Sequence, residues 1–145
     1  MIQFDDYLYR GPRPNSMQEL KDQGFVDSFN LERGWFEAFH QDQYEKERYN
    51  FSPKLMRLDY PMSDVLIPTI EILETITFRL HMNNRQASKT YLHCLKGKDR
   101  TGMVVAAYRI LYQDWTVEKA KQEMFDLGFH KFPYFYWVPQ LERLK

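Results

Sequence analysis

The chain of 145 residues carries a single cysteine. No internal disulfide can form, which suits a reducing compartment, and a disulfide cycle would need an external thiol. Charge of one sign is missing as well: 20 Lys and Arg balance 20 Asp and Glu. Nucleic-acid affinity built on neutralising phosphates calls for a basic excess, so no nucleic-acid partner is expected. No apolar run approaches the ~18 residues that a membrane span needs, so no stable membrane insertion is expected. Asp5 and Asp6 stand where an export signal requires a basic and then an apolar stretch, and the expected location is cytoplasmic. Gly/Ser linkers and internal repeats are missing too, so one domain over residues 1–145 is expected. The four histidines and the cysteine show neither HExxH nor CxxC spacing, so no metal site is expected.

What the sequence has is apolar material: 43% hydrophobic and 17% aromatic residues, ample for a packed core. Tyr7 to Arg10 reads as a strand ended by Gly11-Pro12. Ser16 and Glu19 have capping-box spacing and predict a short helix that stops at Gly24. Phe25 to Leu31 and Leu55 to Tyr60 read as strands, and Trp35 to about Arg48 as a helix. Pro61 and Pro68 bracket a loop, Met62 to Ile67. Ile70, Leu73, Ile76 or Thr77, and Leu80 fall at helical spacing, predicting a helix to about Met82. Thr90 to His93 reads as a strand, Thr101 to Tyr112 as a buried helix, and Val117 to Leu127 as a helix ended by Gly128. A short helix after Pro139 closes the chain. Strands alternating with helices predict an α/β domain, a central sheet flanked by helices. The aromatics Tyr7, Tyr9, Trp35, Phe36, Phe39, Tyr134, Tyr136 and Trp137 either stack on a substrate or fill the core, and most are expected to fill the core.

The chemistry concentrates in HCLKGKDRTG, His93 to Gly102, which runs from a strand through a loop into a helix. Cys94 ends the strand and Arg100 starts the helix. Gly97 allows the loop to curl so that successive amides face one centre, and the helix start adds unsatisfied N–H groups. The pattern describes an anion cradle with a sulfur at its base, in a field that favours the thiolate. Arg100 supplies a planar fork for two phosphate oxygens. Taken singly, Thr101 reads as a helix cap and His93 as a core histidine. Cys94 and Arg100 together point to a nucleophile aimed at phosphorus.

His-Cys, five residues, then Arg-Thr-Gly resembles the signature loop of the cysteine-based protein tyrosine phosphatase superfamily. A chain this short is similar to its minimal dual-specificity-type members. The resemblance extends to the Tyr-Arg-Gly strand and to Pro-Met-Ser-Asp before a helix. It implies that Cys94 attacks phosphorus to give a phosphocysteine and that Arg100 binds the phosphoryl group. It further implies that Thr101 hydrogen-bonds the sulfur as it leaves, and that His93 organises the loop. The family needs a general acid upstream of the loop, a role that Asp64 fits better than Asp59. Either carboxylate has an alternative use as a helix cap. No cofactor is implied.

The loop residues Leu95, Lys96, Gly97, Lys98 and Asp99 are the candidate substrate-binding set. Two lysines exceed what one phosphate requires and suit a polyphosphorylated ring. In this the loop is similar to phytase-like members that act on inositol polyphosphates. The pair Lys98-Asp99 departs from those members, which commonly carry a small, neutral pair there, and Asp99 can offset one lysine. His130 and Lys131 are either a phosphate rim or a solvated face. The leading expectation is an inositol polyphosphate phosphatase. A dual-specificity or tyrosine protein phosphatase is the alternative, and a non-catalytic phosphate-binding module a more distant one. The partner is then a small polyphosphorylated substrate or a phosphoprotein. Oligomeric state is not encoded in these features.

Overall fold

The computed structural model describes residues 1–32, 62 and 66–144, and the backbone of 56–59. The helix expected from Trp35 to Arg48 lies outside the described residues. Strands β1 (Ile2–Asp5), β2 (Leu8–Gly11), β3 (Asp27–Asn30), β4 (Met56–Asp59) and β5 (Thr90–His93) form one sheet in the order β1-β2-β5-β3-β4. β2, β5, β3 and β4 run parallel, and β1 pairs antiparallel with β2. The sequence shows no sign of β1, because Phe4 is its only buried residue and no apolar alternation marks it.

Helices α1 (Met17–Asp22), α2 (Ile70–Arg85), α3 (Arg100–Tyr112) and α4 (Val117–Asp126) cover the sheet. α1 starts at Ser16, whose Oγ accepts the Glu19 amide at 3.2 Å. The return bond of the expected capping box shifts by one residue, because Glu19 accepts from the Asn15 amide at 3.1 Å. Thr69 caps α2 in the same way, accepting the Ile72 amide at 3.1 Å. The stripe Leu73, Ile76, Thr77 and Leu80 is buried, as its spacing predicts.

α3 is the centre of the main core: every residue from Arg100 to Tyr108 is buried. α2, α4 and a closing 3₁₀ segment, Phe135–Leu144, pack against it on one face of the sheet. On the other face Met17, Leu20, Phe25 and Tyr91 form a smaller cluster under α1. The closing segment begins before Pro139, not after it, because Trp137 and Leu141 are both drawn into the core. The sheet carries helices on both faces, as the alternating pattern predicts.

Candidate active site

Parallel strands deliver their carboxyl ends to one edge, and the registers fix which residues meet there. Gly11 of β2 and Asn30 of β3 both stand beside His93 of β5, and Asn30 in turn pairs with Asp59. The loop from Cys94 to Asp99 leaves this edge and enters α3 at Arg100. In open α/β sheets this is where ligands bind.

The loop is braced from β2 and the turn after it. The Arg13 amide donates to the Leu95 carbonyl at 3.1 Å. Arg10 Nη2 donates to the Gly97 carbonyl at 3.0 Å from a fully buried position. Gly97 has φ +71°, and a Cβ there would lie 2.3 Å from the Gly11 carbonyl carbon. The close approach and the positive φ both demand glycine. Tyr91 Oη donates to the Pro12 carbonyl at 2.6 Å. Burial, with the charges of Glu19 and Cys94, holds the Tyr91 phenol far above its usual range, so it remains a donor.

Cys94 is buried at the base of the loop, and Thr101 Oγ1 donates to its Sγ at 3.1 Å. His93 Nδ1 lies 3.4 Å from the Cys94 carbonyl and 3.6 Å from Glu32 Oε2. Glu32, itself buried, is gripped by Arg13, whose Nε donates to Oε1 at 2.8 Å and whose Nη2 contacts the same oxygen. Burial pulls the Arg10 pKa below the ordinary arginine value, while Glu123 and then Cys94 oppose the shift. Arg100 is buried, and its Nη1 donates to the Met62 carbonyl at 3.5 Å.

Above Cys94 and Arg100 opens a cavity of about 340 Å³. Leu95, Lys96 and Asp99 line it from the loop; His130, Phe132, Pro133, Tyr134 and Trp137 form the facing wall. Lys98 is not among the lining residues. Its aliphatic carbons lie over Gly128, where an added Cβ would come within 3.0 Å of Cδ. The Asp99 carboxylate turns to His130: it accepts the His130 amide at 2.7 Å and lies 2.8 Å from His130 Nδ1. Lys131 Nζ sits 5.7 Å over the Phe125 ring.

Of the residues singled out in the sequence, Cys94, Arg100, Thr101, His93, Leu95, Lys96, Gly97 and Asp99 come together, with His130, Tyr134 and Trp137 in the cavity wall facing them. Asp64 lies outside the described residues, and Asp59 is described only as the last residue of β4. Arg10, Arg13, Glu32, Tyr91 and Phe132 escaped the sequence reading. A buried arginine in a strand is a visible oddity, but its partner Gly97 is 87 residues away. Among the described residues no three of His, Cys, Asp and Glu are placed to share a metal ion, and no helix is long and apolar enough to cross a membrane.

The family described as "Polymorphic toxin system, DSP-PTPase phosphatase" matches residues 8–114, the whole cradle included. Among solved structures, a mutant form of Tk-PTP is 21% identical, with a TM-score of 0.77 over 98% of this chain and 92% of that one. A cysteine-to-serine form of P. aeruginosa TpbA in complex with pTyr is 21% identical, with a TM-score of 0.67 over 94% and 82%. The core catalytic domain of the PP-IP phosphatase SIW14 from S. cerevisiae is 18% identical, with a TM-score of 0.66 over 89% and 76%. At such identities the likeness is one of fold. No curated protein matches the sequence.

Proposed function

The chain belongs to the DSP-PTPase phosphatase family of polymorphic toxin systems and is a cysteine-dependent phosphomonoester hydrolase; from that premise we propose that Cys94 is its nucleophile and an aryl phosphate such as phosphotyrosine its substrate. Cys94 Sγ attacks phosphorus, and the S–P bond forms as the ester P–O bond breaks. Arg100 forks two of the non-bridging oxygens and holds them as charge redistributes. A carboxyl, Asp64 in this reading with Asp59 as the alternative, gives its proton to the departing oxygen. Water activated by the same carboxylate then attacks phosphorus, inorganic phosphate departs, and Thr101 Oγ1 receives the thiolate. His93, between the Cys94 carbonyl and Glu32, keeps the loop in shape.

One observation carries the substrate reading. The wall facing Cys94 is aromatic, from Phe132, Tyr134 and Trp137, and Lys96 is the one lysine among the described lining residues. A flat ring fits such a wall, and a single phosphate matches the charge. TpbA, similar in fold, is described with pTyr bound. Inositol polyphosphates are the second reading, supported by Lys96 and by the fold shared with a PP-IP phosphatase. It loses weight because Lys98, counted as its second cation, lies against Gly128.

Phosphate release from a tyrosine-phosphorylated peptide, a serine-phosphorylated peptide and inositol hexakisphosphate tests both readings. The expected order of kcat/KM puts the phosphotyrosine peptide first. Inositol hexakisphosphate first would overturn the aryl reading in favour of the second. Cys94→Ser should bind the preferred substrate and lose turnover by several orders of magnitude, since an alcohol is far less ionised than a thiol. Near-normal turnover by that variant would overturn the mechanism itself.

A further inference from the structure

Asp99 occupies the N-cap of α3, where an aspartate normally accepts an amide of the first helical turn. Here it makes no such bond. Both carboxylate oxygens turn instead to His130, 31 residues on, meeting its amide at 2.7 Å and its ring at 2.8 and 3.0 Å. The residue next to the phosphate-binding arginine thus ties the loop to the facing wall. Past His130 the chain is extended at Phe132, whose ring is 79% exposed yet lines the cavity. A phenylalanine left so open beside a phosphate cradle has no role in the core. The wall is pinned on either side of it: Phe129 and Trp137 are buried, and Tyr134 packs on Trp137 with ring centroids 4.3 Å apart.

We propose that Phe132 is a specificity-determining platform that stacks on the aryl ring of the substrate, and that Asp99, acting through His130, is the residue that positions it. The proposal rests on the aryl phosphate reading. Phe132 reads the carrier, Arg100 and the loop read the phosphate, and Asp99 sets the distance between them. Asp99 therefore serves recognition without touching the phosphate. Offset stacking against a well-held ring typically contributes a factor of roughly 2–10 in affinity, and much less against a ring free to swing.

The test compares wild type with Phe132→Ala, His130→Ala, Asp99→Ala, Asp99→Asn and the double variant Phe132→Ala/His130→Ala. KM for 2-naphthyl phosphate reads cradle and platform together; the Ki of inorganic phosphate reads the cradle alone. Each alanine variant should raise the naphthyl KM roughly 2- to 10-fold and the phosphate Ki much less. Asp99→Asn keeps an acceptor for the His130 amide and should lose less than Asp99→Ala. The double variant should be no worse than Phe132→Ala, because a latch has nothing to hold once the platform is gone. Hydrogen exchange over residues 129–134 should quicken in Asp99→Ala, a readout independent of substrate. Additive losses, a phosphate Ki that rises with the naphthyl KM, or unchanged exchange would overturn the proposal. If wild type prefers inositol hexakisphosphate, the aryl reading and the stacking role fall, and the exchange measurement alone then decides whether Asp99 holds the wall.

Discussion

Thr101 and Lys98 show how differently single residues yield to a reading of sequence. Thr101 is seven positions beyond Cys94, and a loop that curls under an anion returns the first helical turn to the sulfur at 3.1 Å. In the proposed mechanism, a hydrogen bond to the departing thiolate would contribute about 1.5–3 kcal/mol. Thr101→Val should slow breakdown of the phosphocysteine by roughly 10- to 100-fold, so that rapid mixing with an aryl phosphate gives a burst of phenol before slow turnover. A variant slowed equally in the burst and in the steady state would assign Thr101 to the first step. Lys98 went the other way. It shares the loop with Lys96, yet its chain lies along Gly128, because φ +101° requires a residue without Cβ and leaves room for the aliphatic stem. Lys96→Ala should therefore lower kcat/KM on a polyphosphorylated ring about 5-fold, the ~1 kcal/mol of an exposed ionic contact. Lys98→Ala should change it by less than twofold; equal losses would put both ammonium groups at the cavity.

At the scale of elements, what could be read is what is local. Spacing of apolar residues marks α2, a cap marks the start of α1, and Gly97 marks the curl between β5 and α3. The register between elements is not local. Arg10 reaches Gly97, Arg13 reaches Glu32, and Asp99 reaches His130, and no periodicity announces a bond made across 19 to 87 residues. The same limit hid β1, a hairpin strand with one buried side chain. Gly97 is where local and distant demands coincide: its φ favours glycine, and the Gly11–Pro12 backbone fills the space of any side chain. The strain of φ alone costs about 1–3 kcal/mol for a residue with Cβ, and the clash with backbone atoms adds to it. Gly97→Ala should lower the midpoint of thermal unfolding and cut kcat/KM by more than about 100-fold, since the loop must move off β2 to accept the methyl. Retained activity with an unchanged midpoint would mean that the loop and β2 are not so closely packed in solution.

For the molecule as a whole, the parallel arrangement of β2, β5, β3 and β4 gathers the chemistry at one edge. Residues distant in sequence, Gly11, Asn30, Asp59 and His93, end side by side there. Asp59 is the last rung of β4, paired with Asn30. Three residues further, the Met62 carbonyl accepts from Arg100 Nη1, and the Met62 amide donates to the Leu31 carbonyl at 3.0 Å. The chain leaving β4 is thus tied to Arg100 two positions before Asp64 in sequence. Asp64 stays the proposed proton donor, with Asp59 at the end of β4 as the alternative. Asp64→Asn should lower kcat on an alkyl phosphate by about 10²- to 10⁴-fold with little change in KM. On an aryl phosphate with an electron-poor ring the loss should shrink, because such a leaving group departs without a proton. The assignment reverses if Asp59→Asn shows this dependence on leaving group and Asp64→Asn does not; the carboxyl that ends β4 would then be the acid, and the tie through Met62 would serve only to seat Arg100.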